Sequence, residues 1–471
     1  MGGVTPFAEF AALGRRLEAT AGRLDKRRLV AEFLRAVESQ EVGPAVAFLT
    51  GHPFPTSDAR VLGVRGLPRG VPAGAGPPLT LGDVGAAFAA VAEAAGSGSR
   101  GTRHAHLVEL AARATDEERE FLGRIIGGEL RTGVSDGLVL EAIAQAADAE
   151  VAAVRRAALF LGDLSAVASL ARAGGAAALA GVAPRPFVPL LPMLAEIATD
   201  FGDVLRAHGG RTALEFKYDG ARVQVHRDGE RVGIWTRRLS DVTRSLPDVV
   251  AVARGLPAAR FILDGEVVAL DPAGRPLPFQ ELMRRFRRVH GVEALVKEMP
   301  LALHFFDCLL ADDRALIDAP GEERWAALER VTGGHHLAER LLVGDVAAAE
   351  TFRARALAAG HEGVMAKDPR ATYEPGGRGK RWFKLKAAAT VDCVIVAADR
   401  GSGRRVGWLS NYHLAVRDGE AFADVGKTFK GLTDAEFAAM TERLRALAVS
   451  DDGYTVRVRP EVVVEVEYNE I

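Results

Sequence analysis

The spacing of apolar residues divides the chain into three parts with different predicted secondary structure. In the first part, apolar positions recur at helical spacing, as in Phe7–Ala21. Thr115-Asp116-Glu117-Glu118 is a capping-box sequence, and an apolar stripe that runs from Phe121 to Ile126 follows it. We therefore predict that residues 1–180 form an all-α domain.

A proline-rich stretch separates this part from a region of mixed character. Residues 181–193 contain four prolines and no long periodic pattern, which predicts a stiff linker. Residues 194–388 alternate strand-like runs with helical stretches, which favours an α+β domain with antiparallel sheets. The predicted strands are Thr212–Phe216, Ala221–Arg227, Val232–Thr236, Arg260–Leu270, Leu301–Leu310, Gly363–Lys367 and Arg381–Lys386. The predicted helices are Phe279–Arg288, Gly321–Val331 and Ala347–Ala359.

Short strands dominate the last part of the chain, residues 389–471. One predicted helix, Thr433–Leu447, interrupts them and begins with a capping sequence. About five strands with one helix are the content of a small Greek-key β-barrel such as the OB-fold. The chain is therefore predicted to be multidomain, with an all-α, an α+β and a β-barrel domain in that order.

Composition narrows the possible functions. A chain of 471 residues is too long for one core, in agreement with several domains. The net charge is only −2, so any surface for nucleic acid must be local. No signal-peptide pattern and no apolar run of membrane-spanning length are present, so we expect a cytoplasmic protein without membrane contact. Cys308 and Cys393 lie in apolar runs and are expected to be buried thiols.

Lys217 is the candidate nucleophile. It ends the apolar run Thr212–Phe216 and is followed by Asp219-Gly220 and the alternating run Ala221–Arg227. This pattern predicts a β-hairpin with Lys217 at its turn. A Lys-x-Asp-Gly sequence by itself is as typical of a solvated hairpin lysine as of a reactive one, so its meaning depends on the sequences that follow.

Several later stretches carry the charges that a reactive lysine needs. A lysine attacks only when it is neutral, although its ordinary pKa is ~10.4, so cations around it favour the reactive form. The same cations would neutralise the phosphate oxygens of a nucleotide. The stretches are Thr236-Arg237-Arg238-Leu239-Ser240-Asp241, Asp264-Gly265-Glu266, Phe306-Asp307, Glu362-Gly363-Val364-Met365-Ala366-Lys367 and Trp382-Phe383-Lys384-Leu385-Lys386.

Two glutamates and one aromatic residue in these stretches could bind a metal ion and a base. Glu266 and Glu362 offer hard oxygen ligands suited to Mg²⁺, although surface carboxylates at strand ends would give the same pattern. Phe306 could stack on a purine or belong to the core. Because Phe305 beside it points to the opposite face of a strand, one of the two must be buried.

The ordered series resembles the covalent nucleotidyltransferase superfamily, and most closely the ATP-dependent DNA ligases. Lys217-Tyr218-Asp219-Gly220 is similar to the adenylated-lysine motif of that family, and the later stretches are similar to its other motifs in the same order. The helical part, with Gly128–Gly133, resembles the DNA-binding domain of replicative-type ligases. Pro189–Ala195 resembles the start of their adenylation domain. The resemblance thus covers nearly the whole chain.

The resemblance implies a role for each matching residue. Lys217 would form a phosphoramidate with AMP taken from ATP, and Glu215 would recognise the adenine amino group. Phe306 would stack on the adenine, while Arg222 and Glu266 would contact the ribose and the phosphates.

The remaining matching residues would surround the phosphates and the metal ion. Arg237 would hold the phosphate or the nick end. Glu362, with Glu266, would bind Mg²⁺. The residues expected to contact the α-phosphate and the leaving group are Lys367, Lys384 and Lys386.

The implied partner is nicked duplex DNA, bound by a monomer that encircles it. In a bacterium such a protein would be associated with the nucleoid. Contacts would go mainly to the DNA backbone, since a nick has no fixed sequence. A solvated helix face would explain the helical arginines equally well. The candidate DNA-binding residues are Arg124, Arg131, Arg238, Lys427 and Lys430.

One family motif is absent from the sequence. Family members usually carry Arg-x-Asp-Lys after the last barrel strand, and no such motif follows Thr455. That motif stabilises departing pyrophosphate during lysine adenylation. We therefore expect this chain to adenylate itself poorly and to seal pre-adenylated nicks more readily.

Two alternatives remain open from the sequence. The same covalent chemistry serves RNA ligases and GTP-dependent capping enzymes, although the helical part and Glu215 argue against them. A non-catalytic scaffold for DNA ends is the other, although Lys217, Glu266, Glu362 and Lys384 are all intact. Covalent labelling from ATP and from GTP separates these possibilities.

Overall fold

A computed structural model describes residues 3–72, 76–286, 292–386, 389–419 and 421–468. The chain forms two compact units, with the boundary between Leu385 and Lys386. The first unit contains the helical part and the mixed part predicted from sequence, and the second contains the short strands.

The first part of the first unit is helical, as predicted. Its helices pack around one apolar core that includes Phe10, Phe48 and Phe121. The predicted capping box is confirmed, because Thr115 and Glu118 each accept a hydrogen bond from the other's backbone N–H. The helices are α1 Phe7–Ala19, α2 Arg23–Ala36, α3 Val42–Leu49, α4 Leu81–Glu93, α5 Ser99–Arg113, α6 Asp116–Gly127, α7 Asp136–Ala146, α8 Val151–Leu161 and α9 Leu164–Ala180.

The proline-rich stretch 181–193 has neither helix nor strand, yet it is not a free spacer. Leu190 and Met193 are buried, and the Leu190 N–H donates to the Gln224 side-chain oxygen at 2.7 Å. The stretch therefore packs on the mixed part. Because the helical and mixed parts lie in one compact unit, the domain limits at residues 180, 193 and 388 stay predictions.

The mixed part consists of helices and two five-stranded sheets. Its strands are β1 Leu194–Ile197, β2 Thr212–Lys217, β3 Ala221–Asp228, β4 Arg231–Thr236, β5 Arg260–Ala269, β6 Leu301–Ala311, β7 Arg314–Ala315, β8 Arg340–Val343, β9 Gly363–Lys367 and β10 Arg378–Lys386. Its helices are α10 Phe201–Ala207, α11 Pro247–Gly255, α12 Phe279–Phe286, α13 Val292–Glu298, α14 Gly321–Thr332 and α15 Val346–Ala358.

The two sheets have separate strand orders, β1-β10-β9-β2-β8 and β4-β3-β5-β6-β7. Pairing is antiparallel in the second sheet and between β2 and its neighbours, as predicted. The pair of β1 with β10 is parallel. The sequence did not predict this parallel pair, because β1 has only four residues and no distinctive pattern.

The predicted β-hairpin at Lys217 is wrong. β2 pairs with β8 and β9, whereas β3 pairs with β4 and β5, so the chain passes from one sheet to the other between them. A Cβ atom on Gly220 would lie 2.4 Å from the Val267 carbonyl oxygen, so only glycine permits the crossing at this point. The Lys-x-Asp-Gly sequence therefore marks a crossover between sheets.

Among the residues that the structure describes, the second unit contains a six-stranded antiparallel sheet, one α-helix and the short 3-10 helix Gly403–Arg405. Its strand order is β13-β12-β11-β15-β14, and β16 also pairs with β11. The helix begins with the predicted capping box of Thr433 and Glu436. The strands are β11 Ala389–Arg400, β12 Leu409–Asp418, β13 Ala421–Thr428, β14 Ala448–Asp451, β15 Thr455–Val458 and β16 Val463–Tyr468, and the helix is α16 Asp434–Ala446.

Two further expectations concern the cysteines and membranes. Cys308 and Cys393 are both buried free thiols, as predicted. Among the residues that the structure describes, no helix combines the length and the apolar character needed to cross a bilayer.

Candidate active site

Lys217 lies at the end of β2, where that strand meets the start of β9. Its Nζ contacts a carboxylate oxygen of Glu362, the residue immediately before β9. The backbone N–H of Glu362 also donates to the Lys217 carbonyl at 3.1 Å. The Lys217 side chain is 20% exposed and that of Glu362 is 24% exposed, so both remain accessible to a ligand.

Glu215 and Lys367 share a sheet face with Lys217. The register pairs Lys217 with Gly363 and Ala213 with Lys367, and paired residues lie on the same face. The Glu215 carboxylate lies 2.5 Å from the Lys367 Nζ and 4.0 Å from Arg340. Burial lowers the pKa of Lys367, against the opposing effect of Glu215. The face thus holds a buried ion pair beside the candidate nucleophile.

Phe306 borders the same ion pair. The Lys367 ammonium donates to the Phe306 carbonyl at 3.2 Å and lies 4.3 Å from its ring centroid. Phe305 is fully buried while Phe306 is only partly buried, so the expectation that one of the two is core is confirmed. The stacking of Phe306 on adenine stays a prediction.

Glu266 lies on the second sheet, in one cross-strand row with Arg222 and His304. Burial raises the pKa of the Glu266 carboxyl to about 7, against the opposing effects of Arg222 and Lys217, and Glu362 raises it further. The Glu266 carboxyl therefore lies within electrostatic reach of the Lys217–Glu362 pair. The two sheets together place two carboxyl groups around one lysine.

Arg222 is fixed by a buried network. Its guanidinium donates to the Met193 carbonyl at 2.7 Å, to Asp264 at 2.7 Å and to the Tyr373 hydroxyl at 3.1 Å. The Tyr373 hydroxyl donates to Asp264 at 2.6 Å. The Arg222 side chain is 16% exposed, and its Nε is buried without a hydrogen-bond partner in the described structure. Its contact with a nucleotide stays a prediction.

Sequence reasoning assigned no role to several residues that shape this site. Tyr218 stacks on His304 with 4.0 Å between ring centroids, and its hydroxyl accepts from the Glu339 N–H at 2.9 Å. His361 meets the Tyr218 ring edge-on at 4.7 Å. Each of these three residues lies within two positions of Lys217, Phe306 or Glu362, and this closeness in sequence could have indicated that they belong to the site. Tyr373 lies in a Gly- and Pro-containing loop and gave none.

The remaining predicted nucleotide ligands are Lys384, Lys386 and Arg237, and Arg238 beside the last of these is a candidate DNA contact. Lys384 is on β10, paired with Ile197, and partly buried. Lys386 is the first residue of the second compact unit. Arg237 and Arg238 are exposed in the turn directly after β4. The contacts of all four with substrate stay predictions.

The remaining candidate DNA-binding residues differ in how far their charge is already compensated. Arg124 pairs with Glu18 and Glu120, and its side chain is 21% exposed. Arg131 is exposed and pairs with Glu129. Lys427 lies 3.1 Å from Asp399, and Lys430 is exposed beside Phe429. Their DNA contacts stay predictions.

The residues present suit a magnesium ion shared with a substrate. Across the described parts of the chain, no group of three or more His, Cys, Asp or Glu side chains is arranged to hold a metal ion. Mg²⁺ commonly uses only one or two carboxylates and completes its coordination with water and phosphate oxygens. Glu266 and Glu362 match that requirement.

Comparison with known families and proteins agrees with this geometry. A family model described as ATP dependent DNA ligase domain matches residues 192–386. Models described as DNA ligase N terminus and ATP dependent DNA ligase C terminal region match residues 69–144 and 405–471.

Relatives resemble the chain over nearly its whole length. A protein of Anaeromyxobacter sp. (strain K) named "Probable DNA ligase" is 47% identical over 98% of this chain and 91% of its own. One of Mycobacterium marinum with the same name is 44% identical over 96% and 89%. The crystal structure of the ligase domain from M. tuberculosis LigD is 28% identical over 60% of this chain and 90% of that chain, with a TM-score of 0.38. The sequence matches are therefore the stronger finding.

Proposed function

The chain belongs to the family of ATP-dependent DNA ligases, and from this premise we propose that Lys217 carries the AMP during nick sealing. The observation that supports Lys217 is its contact with Glu362 on a sheet face that also holds Glu215 and Lys367. The Lys217 amine is also accessible, touches a carboxylate that can accept its proton, and lies within electrostatic reach of Glu266.

In the first transfer, the Lys217 Nζ attacks the α-phosphorus of ATP. An N–P bond forms, the P–O bond to the pyrophosphate breaks, and pyrophosphate leaves. The ammonium must lose a proton before it attacks, and the Glu362 carboxylate that touches Nζ is placed to accept it. Glu362 is thus the proposed general base.

The next two transfers return the proton and join the DNA. A 5′-phosphate oxygen at the nick attacks the AMP phosphorus, the N–P bond breaks, and Lys217 leaves as the amine that Glu362 can reprotonate. The 3′-hydroxyl then attacks the 5′-phosphorus, a phosphodiester bond forms, and AMP leaves. No pyrophosphate is released after the first transfer.

Recognition of the adenosine is proposed for the other end of the same face. Glu215 is positioned by Lys367, so one carboxylate oxygen is held while the other can accept from the adenine amino group. Phe306 supplies a ring beside this pair. Because Lys367 is already engaged by Glu215, orientation of Glu215 is its best-supported role, with phosphate contact left mainly to Lys384 and Lys386.

Phosphate charge is proposed to be balanced by Arg222, whose guanidinium is fixed and 16% exposed, and by a magnesium ion. Glu266 and Glu362 would hold the ion. Magnesium, when bound, supplies positive charge to the phosphate oxygens. Glu266 can serve as a ligand only when ionised, and the pKa of about 7 makes that state dependent on bound cations.

The proposed substrate is nicked duplex DNA, encircled by a monomer. The candidate contacts of Arg131, Arg238 and Lys430 are exposed cations, which suit phosphates more than base edges. Binding should therefore weaken steeply as salt increases.

Labelling tests this proposal directly. The protein is incubated with Mg²⁺ and α-labelled ATP or GTP, denatured and digested, and the labelled peptide is identified. We expect label from ATP on the Lys217 peptide, none in Lys217→Ala, and normal labelling in the control Lys380→Ala, whose lysine is exposed on β10. Label from GTP alone would favour a capping enzyme. ATP-dependent sealing by Lys217→Ala at the wild-type rate would refute the assignment.

A further inference from the structure

A buried carboxylate organises one face of the sheet in the second unit. Asp399 on β11 has a side chain that is only 3% exposed. Four side chains from three other strands donate to it: Asn411 at 3.0 Å, His413 at 2.8 Å, Lys427 at 3.1 Å and Thr455 at 2.7 Å. Both carboxylate oxygens are thereby occupied.

The carboxylate is ionised at neutral pH and serves as a fixed anion. Burial alone would raise the pKa of Asp399, but hydrogen bonds from Thr455, His413 and Lys427 outweigh it and lower the pKa to about 2. A buried charge is tolerated only when it is paired and hydrogen-bonded. Its partners are consequently held in fixed positions around it.

Two of these partners, Lys427 and His413, lie in a cross-strand row that also contains Arg457. The register places Lys427, His413, Ala397 and Arg457 side by side on β13, β12, β11 and β15. Three strand spacings give the row a length of roughly 14 Å. Lys427 and Arg457 are exposed at its two ends, and His413 lies between them.

The opposite face of the same sheet is apolar and covered. Residues that alternate with the row, such as Ala398, Tyr412 and Val456, belong to the core that includes Phe437 of α16. On the other face, among the described residues of this unit, Lys427 and Arg457 are exposed to solvent. Exposed cations such as Lys427 and Arg457 suit the phosphates of a nucleic-acid backbone.

We propose that Asp399 is a positioning residue that holds Lys427 and His413 in line with Arg457 for contact with the phosphates of duplex DNA. The proposal rests on the function proposed above. Asp399 would then strengthen the binding of negatively charged DNA, although its own charge is negative. An acidic residue near DNA ordinarily repels phosphates, whereas Asp399 promotes their binding because it orders two basic side chains.

Removal of this negative charge should weaken DNA binding, whereas removal of an exposed negative charge elsewhere should not, and this difference can be measured. Asp399→Asn and Asp451→Asn each remove one negative charge. Asp451 serves as the control because it lies on β14, is 42% exposed and pairs with Arg400. Affinity for nicked duplex DNA is measured over a range of salt concentrations. We expect Asp451→Asn to bind as tightly as wild type or more tightly, and Asp399→Asn to bind roughly 10-fold more weakly. Equal affinity of the two variants would overturn the proposal.

A double-mutant cycle separates positioning from damage to the fold. Lys427→Ala should weaken binding and reduce the salt slope by about 1. If Asp399 acts through its partners, adding Asp399→Asn to Lys427→Ala should cost less than Asp399→Asn alone. Additive losses would contradict the proposal. Should Asp399→Asn unfold, Thr455→Val replaces it in the cycle, because it removes one hydrogen bond to Asp399 and keeps the charge of Asp399.

Sealing of pre-adenylated nicks distinguishes this inference from the function on which it depends. Asp399→Asn should raise KM for nicked DNA and leave kcat near the wild-type value, since it is expected to weaken binding only. A fall in kcat with unchanged KM would overturn it. Failure of the wild-type protein to seal any nick would instead refute the proposed function.

Discussion

Lys217 and Glu362 are joined twice, by a contact of the ammonium with the carboxylate and by a backbone hydrogen bond of 3.1 Å. The backbone bond comes from the meeting of β2 and β9, so it fixes the two Cα positions whatever the side chains do. The carboxylate is therefore built into the sheet beside the amine, which is the arrangement that a general base requires.

Replacement of Glu362 by glutamine should slow AMP transfer to Lys217. The neutral amide cannot accept the lysine proton and is a weaker ligand for Mg²⁺, and loss of a general base alone costs roughly 10²-fold or more in rate. The measurement is the rate of covalent labelling from ATP. The control is Glu350→Gln, which removes a 45%-exposed carboxylate from α15 and should have no effect. Unchanged labelling in Glu362→Gln would exclude the proposed base.

The buried pair of Glu215 and Lys367 should show strong coupling in stability. Glu215→Leu or Lys367→Met alone leaves one buried charge without its partner and should lower the free energy of unfolding by roughly 3–5 kcal/mol. The double variant should be close to wild type, because neither charge remains. Urea unfolding of the three variants measures this, and additive losses would show that the charges do not depend on each other.

Glu266 should make stability depend on pH in a defined direction. Its folded-state pKa of about 7 exceeds the ordinary value of 4.5, so the folded protein binds a proton more tightly than the unfolded chain. The resulting stability is present below about pH 4.5 and is lost as pH rises through about 7. Relative to wild type, Glu266→Gln should therefore gain up to roughly 3 kcal/mol between about pH 5 and about pH 8.

Urea unfolding at several pH values, without added divalent cation, measures this gain. Glu350→Gln, which removes a 45%-exposed carboxylate from α15, is again the control. A constant offset for Glu266→Gln would mean that the Glu266 carboxyl titrates as it does in the unfolded chain.

Removal of the Tyr373 hydroxyl should weaken both the fold and nucleotide binding. Tyr373→Phe leaves the Met193 N–H without its partner and removes one of the hydrogen bonds that Asp264 accepts, so it should cost roughly 1–3 kcal/mol in unfolding free energy. Arg222 would also lose one of its fixing contacts, so affinity for ATP should fall. Thermal unfolding with and without ATP gives both values.

Tyr412→Phe is the matched control for this prediction. The Tyr412 hydroxyl is buried without a partner in the described structure, so its removal should be neutral or stabilising. Equal losses in the two variants would mean that the hydrogen bonds of Tyr373 contribute no more than the removal of any buried hydroxyl.

Local sequence patterns determined the elements and the candidate chemistry. β9 has the predicted limits, Gly363–Lys367, because alternation over a few residues is sufficient to define a strand. The capping boxes at Thr115 and Thr433 were likewise visible in four consecutive residues each. The ordered motifs indicated Lys217 and Glu362 as candidates, but they did not predict that the two side chains are in contact.

Only the tertiary structure decided which of these elements meet. The crossing at Gly220 between two sheets, the pairing of Lys367 with Glu215 and the network of Tyr373 around Arg222 join residues far apart in sequence. Strand periodicity specifies the face on which a side chain lies, but the partner strand is chosen by long-range backbone pairing and packing. Amphipathic periodicity is a local property of the sequence, whereas this site depends on contacts between two sheets. The periodicity therefore could not predict how the site is assembled.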